Sequence, residues 1–277
     1  MSENNPNRFF KSAGMTSLFK RFYQNLRFKL SSNNSILFTG FYRYLYSPQR
    51  GSLSYLLNEY SRKKKKQITV IQVGANDGIT HDPIHKFIKR DKWKGLLLEP
   101  QKHIFPRLSR LYKKNKGIKT INAAVGYEDG TTLLYKIGFS NSRWATGLAT
   151  FNKDVLLDAF ESGYVKRNAD KENIEIPENK EEQIVAEEVE VISPDTLLKK
   201  HEINKIDLLQ IDTEGYDFEI IKMFLMTPVK PGMIVFEHTH LSDNDLIECE
   251  KLLDSKGYDI KRYGRNTAAI LINDNPK

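Results

Sequence analysis

Residues able to do chemistry gather in this chain where apolar segments end. Residues 70–78 read VIQVGANDG, an apolar strand pattern that runs straight into Gly74-Ala-Asn-Asp-Gly78. A second apolar segment begins 21 residues beyond Gly74, at Gly95, and ends in Glu99-Pro100. A glycine turn after one strand and a carboxylate at the tip of the next is how α/β proteins hold an adenosine. The turn lets the backbone approach the ligand, and the carboxylate accepts hydrogen bonds from the two ribose hydroxyls.

Within the turn, Gly74 and Gly78 permit tight geometry and Ala75 keeps the approach clear, while Asn76 and Asp77 can hydrogen-bond an amino-acid-like group. Asp77 would repel a diphosphate, so it favours a ligand carrying an ammonium or sulfonium charge. The plainer reading of the same residues is a glycine turn closed by an Asp cap. Glu99 is costly to bury without partners. Ribose hydroxyls answer that, and so would a salt bridge to Lys94 or Lys102. Asn122-Ala-Ala124 ends a third strand with small residues that suit a flat adenine, or equally a closely packed helix.

The remaining acids fall in Gln210-Ile-Asp-Thr-Glu-Gly-Tyr-Asp217 and in Glu237-His-Thr-His240. Acids and histidines at adjoining strand tips can orient a substrate hydroxyl, take its proton or hold a divalent cation. Histidine is the natural base near neutral pH. Helix N-terminal capping is the alternative for Glu214 and the preferred reading for Asp217. Asp212, Glu237 and His238 offer oxygen and imidazole ligands, yet no compact metal motif is present, so no metal site is assigned.

The elements that must position these groups alternate as a mostly parallel sheet requires. Strands are expected at 68–73, 95–98, 119–125, 131–137, 188–192, 206–211 and 233–237, and a terminal hairpin at 258–263 and 267–272. Helices are expected at 81–90, 104–112, 154–160, 196–201, 216–225 and 246–256. Residues 138–186 break the rhythm, and 169–188 are acid-rich. An insertion of that length is a functional lid or a mobile segment.

The chain of 277 residues has a formal net charge of +8, unevenly spread. Residues 1–66 carry 13 Lys/Arg against two acids, Glu3 and Glu59, a net of +11, which leaves 67–277 at −3. A slightly acidic main domain argues against nucleic acid as its substrate. The domain division is therefore 1–66, a basic and aromatic extension, and 67–277, with the insertion at 138–186. Arg8-Phe-Phe-Lys11, Phe19–Tyr23 and Phe41–Tyr44 interleave aromatic and basic residues. Such a segment caps the domain, stays partly disordered, or contacts a membrane surface or a protein partner. The run Arg62–Lys66 reads first as a solvated lead-in to the first strand. A single cysteine, Cys249, excludes a disulfide framework and a Cys-based zinc site, and suits a cytoplasmic setting, at most peripheral to a membrane.

VIQVGANDG, LLLEP, INAAVGYEDG, IDLLQIDTEGYDFEIIK and PGMIVFEH, in that order over about residues 68–240, resemble the successive motifs of the FkbM-type methyltransferases. The resemblance implies a class I methyltransferase Rossmann-like fold: a mostly parallel central sheet, helices on both faces and an antiparallel edge strand. It implies S-adenosylmethionine bound by Gly74, Ala75, Asn76, Asp77, Gly78, Glu99, Pro100, Asn122, Ala123 and Ala124. The acceptor and methyl group would lie near Asp212, Glu214 and His238. Family members commonly methylate hydroxyls of sugars, polysaccharides or polyketide products. Two positions depart from the family: Gln72 stands where Asp is frequent, and Gln210 where Lys is frequent. Residues 1–66 and 138–186 lie outside the resemblance. The rival readings are a nicotinamide-dependent oxidoreductase and a non-catalytic Rossmann-like module attached to membrane or nucleic acid through its basic N-terminus.

Overall fold

The structure is a computed structural model and describes residues 17–64 and 67–272. Three helices lead: α1 Ser17–Ser32, α2 Ile36–Gly40 (continued by a π-helical turn over Phe41–Leu45) and α3 Leu53–Lys63. Strand and helix then alternate through β1 Thr69–Val73, α4 His85–Asp91, β2 Lys94–Leu98, α5 Phe105–Tyr112 and β3 Ile118–Ile121. Next come β4 Ala124–Val125, β5 Gly130–Ile137, α6 Arg143–Thr146, α7 Lys153–Glu161, α8 Tyr164–Glu172, α9 Lys180–Gln183, β6 Ile184–Ile192 and α10 Pro194–Lys200. The last run is β7 Leu208–Ile211, α11 Asp217–Met226, β8 Met233–Glu237, α12 Asp243–Ser255, β9 Tyr258–Tyr263 and β10 Asn266–Leu271. The Arg8–Lys11 stretch and the last two lysines of the 62–66 run lie outside the described residues.

Seven strands form the central sheet in the order β3-β2-β1-β7-β8-β10-β9, and β10 alone runs against its neighbours. This is the class I methyltransferase arrangement. Every residue of β1 and β7 is buried, as continuous apolar strands covered on both faces must be. Alternate residues face opposite layers. Ile71, Val73, Leu209 and Ile211 pack with Leu197, Phe218, Ile221 and Leu253 from α10, α11 and α12. Val70, Leu208 and Val235 pack with Phe87, Leu108 and Leu111 from α4 and α5, and with Phe28, Leu57 and Tyr60 from α1 and α3. The N-terminal helices thus form an outer layer of that core. Tyr60 Oη donates to the Asp207 carbonyl at 2.8 Å, and Ser31 Oγ meets His85 Nε2 at 2.9 Å.

From β1 the chain builds outward through β2 and β3, whereas from β7 it builds the other way through β8. The carboxyl tips of β1 and β7 therefore open onto the crevice where ligands of such sheets bind.

Three elements differ from the sequence expectation. The strand expected at 119–125 is two strands in two sheets, because Asn122 Nδ2 donates to the carbonyls of Glu99 (2.8 Å) and Pro100 (3.0 Å) and turns the chain out of the ladder. Ala124–Val125 then pairs with β6 in a small sheet ordered β4-β6-β5. β6 begins at Ile184 rather than 188; its register with β5 runs from Gly130↔Val191 to Ile137↔Ile184. Its first residues, Ile184-Val-Ala186, are at most half-buried and run into Glu187-Glu188, so the apolar alternation that marks a strand is clear only from 188 onward. The helix expected from 81 starts at His85, because the Asp82 carboxylate accepts from Ile84 N (2.8 Å) and His85 N (2.7 Å) and sets the start there.

Candidate active site

The turn after β1 is held to its neighbours by backbone. Gly74 N and Ala75 N both donate to the Leu98 carbonyl, at 3.1 and 2.9 Å, and Asp212 N donates to the Val73 carbonyl at 3.0 Å. Gly74 has φ +79, and a Cβ there would sit 1.9 Å from the Asp212 carbonyl oxygen. No side chain fits, so the β1 and β7 loops touch and together form the floor of a cleft of about 580 Å³, counted to its open mouth. Gly78, at φ +71, closes the turn against Leu108 and Tyr112.

Glu99 lies at the tip of β2, only 2% exposed. Its Oε2 accepts from Asn76 N at 2.7 Å and its Oε1 from Gln101 N at 2.9 Å. Both oxygens keep lone pairs for a pair of hydroxyl donors. Burial pushes the carboxyl up to about 7, partly offset by those two N–H groups and by the charge of Arg143. Pro100, Ala123 and Ala124 continue this wall of the cleft. Asn122 does not line it; it turns the chain so that the two alanines can.

The opposite rim comes from the segment read as an insertion. The Thr146 carbonyl, at the end of α6, accepts from Asn76 Nδ2 (3.2 Å) and Gln101 Nε2 (3.0 Å). That fastens α6 over the glycine turn. Arg143, on the same helix, reaches Asp212 Oδ2 at 3.8 Å, and its own Nε is buried without a hydrogen-bond partner. Phe151 stacks edge-on against Tyr216, both at the cleft.

At the tips of β7 and β8 the acids converge. Glu214, held at φ 52, sets its carboxylate 3.1 Å from His240 Nε2, and Glu237 Oε1 lies 3.7 Å from the same atom. Arg265, from the β9–β10 turn, reaches Glu237 at 2.6 Å and His240 at 3.2 Å. One atom from each of Glu214, Glu237 and His240 falls within 4.8 Å of the others, a set able to hold a cation, and the Arg265 guanidinium supplies one. Asp212 Oδ1 is buried without a partner. Burial, then the neighbouring Asp217 carboxylate, pushes Asp212 up to about 7. Burial and the Asp212 and Glu237 carboxylates hold Glu214 well above the usual carboxylate range. Burial lowers His240, which keeps its imidazole neutral at pH 7.

Several of the residues expected at the site lie outside the cleft, Asn122 among them. His238 does not join the cluster, because its Nδ1 lies 3.0 Å from Thr267 Oγ1 and its backbone N–H bonds Arg265 on the β10 side. The imidazole beside the acids belongs to His240. Asp77 does not face the cleft either. Its Oδ1 accepts from Ile79 N (3.1 Å) and Thr80 N (2.8 Å), its Oδ2 from Thr80 Oγ1 (2.7 Å), and Arg107 Nε approaches at 3.3 Å. It ties the turn together, as do Ala75 and Gly78 through backbone and packing, and the acids of the β7 loop that line the cleft beside the turn are Asp212 and Glu214. Asp217 clamps two loops: Oδ2 accepts from Thr213 N and Oγ1, and Oδ1 from Glu237 N.

Sequence reasoning missed Arg143, Thr146, Gln101 and Arg265. Their positions depend on α6 folding back and on the edge hairpin, neither of which a spacing rule reveals. An arginine beside Trp144 inside an otherwise polar loop was the one available hint.

Residues 72–260 match the family described as Methyltransferase FkbM domain. The chain belongs to the FkbM methyltransferase family. The matched span includes residues 138–186, the rim-forming segment, while residues 1–66 lie outside it. No curated protein sequence matches significantly. Among solved structures the chain is similar to an FkbM methyltransferase from Methylobacillus flagellatus KT, at 12% identity and a TM-score of 0.43, over 78% of this chain and 50% of that one. It is also similar to the Methanococcus jannaschii fibrillarin pre-rRNA processing protein, at 13% identity and a TM-score of 0.39, over 75% and 67%. A third is a ribosomal protein L11 methylase from Lactobacillus delbrueckii subsp. bulgaricus, at 12% identity and a TM-score of 0.35, over 78% and 77%.

The cleft of this FkbM methyltransferase suits a methyl-donating nucleoside. Glu99 offers two acceptors to hydroxyls, Gly74 leaves room for close backbone approach, and Gln101 Oε1 and Asp212 Oδ1 are buried polar atoms still lacking partners. Among the described residues no helix is long and apolar enough to cross a membrane.

Proposed function

We propose that this protein is an S-adenosylmethionine-dependent methyltransferase that methylates a hydroxyl of a sugar, polysaccharide or related natural product. What carries the reading is one juxtaposition. A buried carboxylate beside a glycine turn and two acids, Asp212 and Glu214, line a single cleft at the strand-order reversal, and His240 stands behind Glu214 at 3.1 Å. S-adenosylmethionine, when bound, supplies an electrophilic methyl group on a sulfonium. Glu99 would accept from the ribose hydroxyls, with Ala123 and Ala124 against the base and the Gly74 backbone against the amino-acid end. His240, kept neutral by burial, holds its Nε2 3.1 Å from the Glu214 carboxylate, and this acid–imidazole pair is suited to take up the acceptor's hydroxyl proton. A cationic donor would draw the raised carboxyls of Asp212 and Glu214 toward ionisation, which favours it over its neutral product. Alignment of the acceptor would supply most of the rate.

A dinucleotide oxidoreductase fits less well. Its diphosphate needs a glycine turn opening directly onto a helix N-terminus, whereas α4 starts only at His85, after a further Asp82-capped turn. Calorimetry with S-adenosylhomocysteine tests the donor half: binding is expected, and Glu99→Ala should weaken it by about tenfold or more. Absence of binding, or equal affinity in the variant, sinks the assignment. Transfer of a labelled methyl group to hydroxylated saccharides, in preference to amines, tests the acceptor half.

A further inference from the structure

The outer layer of helices, α1 to α3, precedes the matched family span. α2 and its π-helical extension bury Phe38 against the domain, and Tyr42 packs beside it, with ring centroids 4.9 Å apart. The other side of this ten-residue helical segment is apolar and uncovered. Ile36 is 86% exposed, Leu37 77%, Tyr44 80% and Leu45 73%, with Phe41 beside them at 42%. Folding gains nothing from such side chains in water, and a contiguous set of this kind marks an interaction surface. The neighbouring α1 adds exposed Phe22 and Leu26.

The surroundings are basic. Between residues 22 and 58 the sequence holds no acid and four basic residues, Arg27, Lys29, Arg43 and Arg50. The fold adds more from a distant segment. Asn34 Nδ2 donates to the Lys114 carbonyl at 3.0 Å and Lys114 Nζ donates to Asn33 Oδ1 at 2.8 Å, which brings the loop Lys113-Lys-Asn-Lys116 against the turn just before Ile36. Arg43, between Phe41 and Tyr44, is exposed, and its Nη2 donates to the Arg90 carbonyl at 3.0 Å. Exposed aliphatic and tyrosine side chains ringed by lysine and arginine match the two layers of an anionic bilayer surface, acyl boundary and headgroups.

We propose that the outward face of residues 36–45, with its basic collar, docks this protein on an anionic lipid surface. Nucleic acid fits less well, since stacking uses aromatic rings and leaves Ile36, Leu37 and Leu45 without a role. A second copy fits less well too, because a two-fold contact of this face would set basic against basic.

The test is cosedimentation of the full chain with vesicles of phosphatidylcholine alone and of equal parts phosphatidylcholine and phosphatidylglycerol. Binding to the anionic vesicles should exceed binding to the neutral ones by about tenfold or more, and fall with added salt. The combined variant Ile36→Gln, Leu37→Gln, Leu45→Gln should lose about tenfold in binding, while its thermal midpoint, circular dichroism and S-adenosylhomocysteine affinity stay unchanged. No binding to anionic vesicles, equal binding to both vesicle types, or full binding by the folded variant each overturns the proposal. So does a dimer of the wild type that the variant abolishes, or retention of a single-stranded RNA oligonucleotide in preference to vesicles.

Discussion

Gln72 on β1 and Gln210 on β7 are register partners, each two positions before the loop that builds the cleft. Both are buried, and both keep a side-chain carbonyl oxygen without a partner. Gln72 Nε2 is spent on Asp82 at 3.0 Å, and Gln210 Nε2 on the Ile211 carbonyl at 3.2 Å. The resemblance to the FkbM motifs implies Asp at the first position and Lys at the second, and the register sets the two positions opposite each other across β1 and β7.

Gln72→Asp alone is expected to destabilise the fold by about 3 kcal/mol, because it buries an unpaired carboxylate beside Asp82. Adding Gln210→Lys should recover about 1 kcal/mol or more beyond additivity. Urea denaturation of the two single variants and the double variant measures the coupling. Additive losses would mean that the two positions do not sense each other.

Glu99 makes the cleft pH-dependent in two opposite ways. Its carboxyl titrates at about 7 in the fold against an ordinary 4.5, because burial penalises the charged form. The folded state thus holds the proton that the unfolded chain has released, and this group's contribution to stability declines as pH rises from about 4.5 to about 7. Ribose hydroxyls, in contrast, donate best to the ionised form. Affinity for S-adenosylhomocysteine should therefore climb from pH 5.5 to 8 and level off above about 7, while Glu99→Gln should bind weakly with a flat profile. Calorimetric titrations across that range check both halves.

Much of this was legible from residues alone, and the physical reason is locality. The glycine turn, Glu99 and the alanine wall each follow a strand that is buried on both faces and so is written as an unbroken apolar run. Ser193, Ser242 and Gly257 mark helix ends by capping chemistry that acts over three or four residues. What escaped depends on distant partners. Arg143 becomes a cleft residue only because Asn76 and Gln101 reach the Thr146 carbonyl from across the sheet edge. The choice between His238 and His240 depends on the turn that follows β8, closed by Leu241 N on the His238 carbonyl at 3.3 Å, which no spacing argument settles. Asp77 has the right residue type and the right place, yet its own loop consumes its oxygens.

The two histidines give a direct contrast. His240 lies 3.1 Å from Glu214, whereas His238 is engaged with Thr267. His240→Gln should lower kcat by about a hundredfold or more with little change in donor affinity, the size expected for loss of a general base. His238→Gln should keep kcat within about threefold, since it touches neither cleft nor cluster. Single-turnover methyl transfer with the two variants reads this out. Equal losses would mean that the proton leaves by another route.

The acids at the tips of β7 and β8 should register the charge of the donor itself. Burial, then the Asp217 carboxylate, pushes Asp212 up to about 7, and burial, then the Asp212 carboxylate, raises Glu214. A sulfonium in the same cleft opposes both causes and draws the pair back toward ionisation. S-adenosylmethionine should therefore release protons on binding near pH 7, and S-adenosylhomocysteine, whose sulfur is neutral, should release fewer. By linkage, the preference for the charged donor grows as pH rises through about 7, because protons need no longer be expelled. Calorimetry in buffers of different ionisation enthalpy measures the difference directly. Asp212→Asn should reduce it, since one of the two coupled carboxyls is then neutral at every pH. Identical proton release by the two ligands would show that the sulfur lies outside the field of these acids, and would move the reacting centre away from Asp212.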